Sequence, residues 1–164
     1  MIPSIESPAG ATFQLVINDF SKFIESGETR LSPQPYMIRN LPWKILATSK
    51  KMSNKDKEFV LGFFLQCNTE SNLPTWSVRA TAELKILHST DPEKNLFKKI
   101  QHLFCLPQND WGFSPFATMK EIMDPEKRLY NQLNDCITLE VSLNASQPTG
   151  IAKPQNGGVS TVKK

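Results

Sequence analysis

Apolar and polar residues alternate along several stretches of this chain, most plainly from Trp76 to Ile86. There Trp76, Val78, Ala80, Ala82, Leu84 and Ile86 interleave with Ser77, Arg79, Thr81, Glu83 and Lys85. Successive side chains of a strand point to opposite faces, so the pattern predicts a long strand with one dry and one wet face. Thr12 to Asn18 alternates in the same way through Phe13, Leu15 and Ile17. So do Pro42 to Thr48 through Trp43, Ile45 and Ala47, and Cys136 to Ala145 through Ile137, Leu139, Val141 and Leu143. Phe59 to Cys67 is apolar at nearly every position, which predicts a strand covered on both sides, at least in part. Tyr36 to Arg39 reads as a short strand.

Helical signals are few. Asp19 to Gly27 has room for one turn around Phe20 and Phe23, closed by Gly27. Thr118 and Glu121 stand at capping-box spacing and predict a short helix that ends by Asp124-Pro125. Leu96 to Phe104 is ambiguous. Its Leu96, Phe97, Ile100, Leu103 and Phe104 fit a helical stripe, and periodicity alone selects a helix there. Between the elements, Leu31 to Pro35 reads as a turn region and the charged run Lys50 to Glu58 as a solvated loop. Met1 to Gly10 reads as a loose arm, and the Pro, Gly, Asn, Ser and Lys of residues 148–164 as a disordered tail. The domain is expected over residues 11–147. Six to eight strands with little helix predict an antiparallel β-sandwich.

Asn109 to Phe116 (N-D-W-G-F-S-P-F) holds three aromatics in eight residues, in a chain that is 9% aromatic. If extended, it puts Trp111 and Phe113 on one face. Phe116 then points away unless the chain kinks. Gly112 leaves a bare spot where another backbone can approach closely, and Pro115 cannot donate to a ladder. The stretch therefore predicts an edge strand with an exposed notch, a candidate peptide-docking edge.

Asp110-Trp111-Gly112-Phe113-Ser114-Pro115-Phe116 also resembles the D-W-G-F-x-x-F signature of meprin and TRAF-homology (MATH) domains. Asn40-Leu41-Pro42-Trp43-Lys44-Ile45, Gly62-Phe63-Phe64-Leu65-Gln66-Cys67-Asn68 and Trp76-Ser77 extend the resemblance, from about Ala11 to Gly150. Together they are similar to the branch that stands at the N-terminus of animal ubiquitin-specific proteases of the herpesvirus-associated type. The resemblance implies an eight-stranded antiparallel sandwich of TRAF/MATH type with one short helix, and it makes Leu96 to Phe104 a strand. It further implies that short (Pro/Ala/Glu)-x-x-Ser peptides are taken by strand addition, with the backbone around Trp111 to Ser114 pairing to the ligand. The implied site holds Asp110, Trp111, Gly112, Phe113 and Ser114, the outward ring Phe64, and the rim residues Lys50, Lys98 and Gln101. Lysine at the rim keeps the charge of the family's arginine and loses its two-pronged fork. Gln101, Gln108 and Pro115 depart from what the resemblance to that branch implies, Pro115 standing in place of an asparagine. The implied setting is ubiquitin-dependent regulation in the nucleus and cytoplasm, with ubiquitin-pathway components as partners.

Composition leaves little room for other functions. At 164 residues, 39% hydrophobic and 21% charged, the chain suits one domain. Its net charge of +3 is too modest to argue for nucleic acid, and no apolar run approaches the ~18 residues of a spanning helix. Met1 to Ser4 lacks the pattern of a signal peptide. Cys67, Cys105 and Cys136, without CxxC spacing, read as reduced, packed thiols of an intracellular protein. With only His88 and His102 beside them they form no hydrolase constellation and no zinc pattern, and no glycine-rich phosphate loop occurs. No enzyme activity, cofactor or metal is expected of this chain. Trp43 and Trp76 are assigned to the core.

Overall fold

The structure is a computed structural model that describes residues 7–52 and 58–151. The expectations for Met1 to Glu6, for residues 53–57 of the charged run and for residues 152–164 lie outside the described residues. Nine strands follow in order: β1 (Gly10–Asn18), β2 (Thr29–Leu31), β3 (Tyr36–Ile38), β4 (Leu41–Lys51), β5 (Phe59–Cys67), β6 (Ser77–Ile86), β7 (Leu96–Cys105), β8 (Asp110–Thr118) and β9 (Cys136–Ala145). Two single helical turns, α1 (Phe20–Phe23) and α2 (Met119–Ile122), and a 3-10 turn at Pro92–Lys94 complete the list. All pairings are antiparallel, in two sheets ordered β1-β9-β6-β7 and β2-β4-β5-β8, with β3 also on β4.

The alternating stretches form strands whose dry faces meet between the sheets. Val78, Ala80, Ala82, Leu84 and Ile86 of β6 are buried, and Trp43, Ile45 and Ala47 of β4 face them. Trp43 is fully buried, donates its indole N–H to the Ile38 carbonyl at 2.9 Å, and meets Phe104 edge-on at 5.2 Å. In β5, Val60, Leu61, Gly62 and Phe63 are all buried, as expected of a strand covered on both sides. Thr118 caps α2 by accepting the Glu121 amide at 3.1 Å, so the capping spacing is realised. Trp76 is buried just ahead of β6.

Several details differ from expectation. Among the described residues there are nine strands rather than eight: Thr29–Leu31 pairs with β4, and of these three residues only Leu31 falls in the expected turn region. Lys50 and Lys51 belong to β4 rather than to a loop. Leu96–Cys105 is the strand that the resemblance implied, against its helical periodicity, and it pairs with β6 along its whole length. Its wet face carries Phe97 and Leu103, 51% and 42% exposed, while His102 is buried on its dry face. Apolar residues on both faces produced the helix-like spacing.

Candidate docking edge at strand β8

Strand β7 ends the first sheet and β8 ends the second, although they are consecutive in the chain. A tight turn joins them: the Cys105 amide donates to the Gln108 carbonyl at 3.3 Å, and the Gln108 amide to the Cys105 carbonyl at 3.0 Å. The free edges of the two sheets therefore lie side by side at this flank of the sandwich.

Strand register fixes what β8 offers there. Gln66, Leu65, Phe64 and Phe63 stand opposite Asp110, Trp111, Gly112 and Phe113. The Asn109 carbonyl accepts from the Cys67 amide at 2.8 Å. In an antiparallel ladder such pairs alternate with pairs that exchange no bonds. Trp111 and Phe113 thus turn their backbone groups toward β5, and the N–H and C=O of Asp110 and Gly112 point to the unpaired side.

The same register assigns faces. Trp111 and Phe113 share one face, as alternation predicted, and they stand opposite the buried Leu65 and Phe63, which makes that face the inner one. Asp110 and Gly112 fall on the outer face with Gln66 and Phe64. Of the neighbouring rings, Phe63 is wholly buried and Phe64 half-buried, so Phe64 is indeed the outward one. It stands on the opposite face of the sheet from Trp111, and the two rings line two sides of one edge rather than a single floor.

On the inner side, Trp111 is 44% exposed and stacks on His102 of β7, with centroids 4.0 Å apart and planes within 10°. His102 is buried, lies 3.1 Å from the Gln108 carbonyl through Nε2, and meets Phe104 edge-on at 4.6 Å. Further along, Phe113 and Phe116 lie 6.1 Å apart, with the Lys98 ammonium 5.0 Å from one ring and 5.2 Å from the other. Lys98 is thus held over the rings by a cation–π contact rather than left loose on the rim. It has no carboxylate partner among the described residues.

Phe116 does not point away. The register jumps from Phe63↔Phe113 to Leu61↔Ala117, two residues on β5 against four on β8. This bulge, with exposed Ser114 and Pro115 joined by a cis peptide bond, swings Phe116 inward against Phe63, 5.0 Å away. The notch at Gly112 is already occupied from within. A Cβ there would stand 2.1 Å from the Phe63 carbonyl oxygen and 2.6 Å from the Phe64 Cα. The backbone that approaches closely is β5.

Two expected rim residues lie apart from this group. Gln101 is exposed on the outer face of the first sheet, opposite Thr81, and it is the adjacent His102 that faces Trp111. Lys50 is exposed beside Val60, in the row of Thr118, six residues along β5 from the row of Asp110, or roughly 20 Å. His102 carried no motif. Counting alternately from Ile100 and Phe104 places it inward, which is the signal that finds it.

Cysteine chemistry is subdued here. Cys67 is buried, and burial pushes its thiol far up. Cys105 and Cys136 are free and half-buried. His88 Nδ1 accepts the amides of Thr90 and Asp91 at 3.1 and 2.9 Å, a turn-forming role. Among the described residues no group of His, Cys, Asp and Glu could hold a metal, and no helix is long and apolar enough to cross a membrane. The larger hollows, about 750 and 380 Å³, lie around Leu87 to Leu96 and Met123 to Thr138, away from β8. One of about 160 Å³, lined by Lys44, Gln66 and Glu70 among others, adjoins its outer face.

Comparison with known proteins converges on one family. Ubiquitin carboxyl-terminal hydrolase 7 of Drosophila melanogaster is 42% identical over 123 residues, 74% of this chain and 10% of that protein. Its namesake in Caenorhabditis elegans is 32% identical over 148 residues, 83% of this chain and 13% of that protein. The chain therefore spans about a tenth of the length of these curated relatives. Among solved structures, Notothenia coriiceps TRAF5 superposes with a TM-score of 0.51 at 14% identity, covering 88% of this chain and 75% of that one, a likeness of fold. A family model described as the MATH domain matches residues 12–143, and the chain belongs to the MATH domain family.

Proposed function

We propose that residues 11–147 form a peptide-recognition module that takes short (Pro/Ala/Glu)-x-x-Ser segments by strand addition at β8. In this reading it recruits partners in ubiquitin-dependent regulation. The observation that carries the reading is the free edge of β8, where the backbone groups of Asp110 and Gly112 point away from β5 beside a half-exposed Trp111. A peptide lying there alternates its side chains between two surfaces. One is the crevice of Trp111, Phe113 and Lys98, and the other the outer face of Asp110 and Phe64.

Trp111→Ala and Asp110→Ala should each weaken peptide binding at least tenfold, about 1.4 kcal/mol, with the fold intact. Phe64→Ala should do likewise. Calorimetric titration beside circular dichroism measures this, and unchanged affinity in all three variants would place the site elsewhere.

A second reading shares the same surface: this chain is the non-catalytic targeting part of a longer cysteine deubiquitinase. It is favoured by the relatives named as ubiquitin carboxyl-terminal hydrolases, of which the match covers only about a tenth. Whether the native coding sequence continues past Lys164 into a protease domain decides between them.

A further inference from the structure

We infer that His102 is a positioning residue of the docking edge, holding the Trp111 indole in the orientation that a ligand meets. The inference rests on the docking reading for its consequence, but not for its geometry. A large ring on an edge strand with 44% of its surface exposed has one face free to swing. The buried imidazole of His102 supplies a flat support for that ring, parallel within 10° at 4.0 Å. The support is itself fixed at two points. A carbonyl oxygen only accepts, so Nε2 carries the hydrogen that reaches Gln108 at 3.1 Å. Phe104 meets the same ring edge-on at 4.6 Å, 87° from coplanar. His102 and Trp111 also sit on different sheets, on either side of the turn from Cys105 to Gln108. The stack therefore sets how far the two free edges stand apart, the space into which a peptide strand must fit.

The test separates positioning from mere packing. His102→Leu keeps an apolar side chain of similar bulk but offers no plane to stack on. His102→Phe restores the plane and gives up the bond to Gln108. Protein labelled with 5-fluorotryptophan gives one fluorine resonance for each of Trp43, Trp76 and Trp111, assigned with Trp111→Phe. Without ligand, His102→Leu should shift the Trp111 resonance and leave that of Trp43 in place, and His102→Phe should bring it back toward the wild-type position. A fluorescein-labelled Ala-Ala-Pro-Ala-Ala-Ser-Ala-Ala peptide should bind the Leu variant roughly threefold to tenfold more weakly, and the Phe variant within about twofold of wild type. Thermal melts of each variant show that measurements are made on folded protein. A Trp111 resonance unmoved in His102→Leu, or a Phe variant as impaired as the Leu variant, overturns the inference. If instead Trp111→Ala binds the peptide as wild type does, the docking reading falls, and the fluorine spectrum still decides whether His102 sets the ring.

Discussion

Asp110 and Trp111 are neighbours in sequence and point to opposite sides of the β8 edge, one presenting a carboxylate and the other an indole. Under the proposed docking at β8, this division would shape how a ligand serine is read. The Asp110 side chain is exposed, with no hydrogen bond or ion pair to another described residue, so it is available to accept a serine hydroxyl. Such a bond to a charged acceptor contributes roughly 1.5–3 kcal/mol. Phosphorylating the serine removes the donor and adds about −1.5 to −2 charges at pH 7. Lys98 cannot readily compensate, because its ammonium is held over Phe113 and Phe116 on the inner side. Lys99 is largely exposed and already lies 3.8 Å from Glu83. A phosphoserine peptide should therefore bind at least tenfold more weakly than its unmodified twin, measured by fluorescence polarisation at two salt concentrations. Equal or tighter binding would show that the lysines prevail over Asp110. By the same geometry, an acidic ligand residue directed into the crevice meets Lys98 and is tolerated or favoured.

Among the elements, β8 depends on its close approach to β5. A methyl group at position 112 collides with the Phe63 carbonyl, which is backbone and cannot rotate aside. Gly112→Ala should cost about 2 kcal/mol or more and lower Tm by roughly 4–8 °C, read by differential scanning calorimetry. A Tm unchanged within a degree would mean that β8 sits further from β5 than described. The other junction of note ties α1 to the start of β9. Asp135 accepts from the Ser21 hydroxyl at 2.7 Å, the Ser21 amide at 2.9 Å and the Tyr130 hydroxyl at 2.7 Å. The Ser21 hydroxyl first, and then Tyr130, hold the Asp135 carboxyl below its ordinary range. Its stabilisation is thus present above the unfolded value near 4 and lost as pH falls through the lower folded value. Tyr130 is pushed the other way, to about 12, chiefly by its hydrogen bond to Asp135. That contribution is intact below the unfolded value of about 10 and lost as pH rises from there toward 12. Denaturant midpoints across pH should show wild type losing stability on both flanks. Tyr130→Phe should flatten the alkaline flank and Asp135→Asn the acid flank. A Tyr130→Phe profile parallel to wild type above pH 10 would contradict the assignment.

For the whole molecule, the sandwich closes where β7 and β8, joined by one tight turn, lie in different sheets, and the proposed docking edge is a by-product of that closure. Much of this was legible in the chain. Strict alternation in β1, β4, β6 and β9 named the strands and their dry faces, because each strand has one face in water. The D-W-G-F stretch named the edge. What was not legible has specific physical causes. The exposed Phe97 and Leu103 disguised β7 as a helix. Thr29–Leu31 is too short to show a period. Pro115 announced a break in pairing, but nothing local said that the bulge would carry Phe116 inward. His102 lacked any motif because its stacking partner, Trp111, lies in the other sheet, and only the fold brings the two rings together.

The central claim is that a ligand strand adds to β8, and amide hydrogen exchange followed by NMR tests it most directly. In the free protein the amides of Trp111 and Phe113, turned toward β5, should exchange slowly, and those of Asp110 and Gly112 quickly. Saturation with a (Pro/Ala/Glu)-x-x-Ser peptide should slow Asp110 and Gly112 by at least about tenfold while Trp111 and Phe113 change little. Binding that leaves Asp110 and Gly112 exchanging as fast as before would contradict the account.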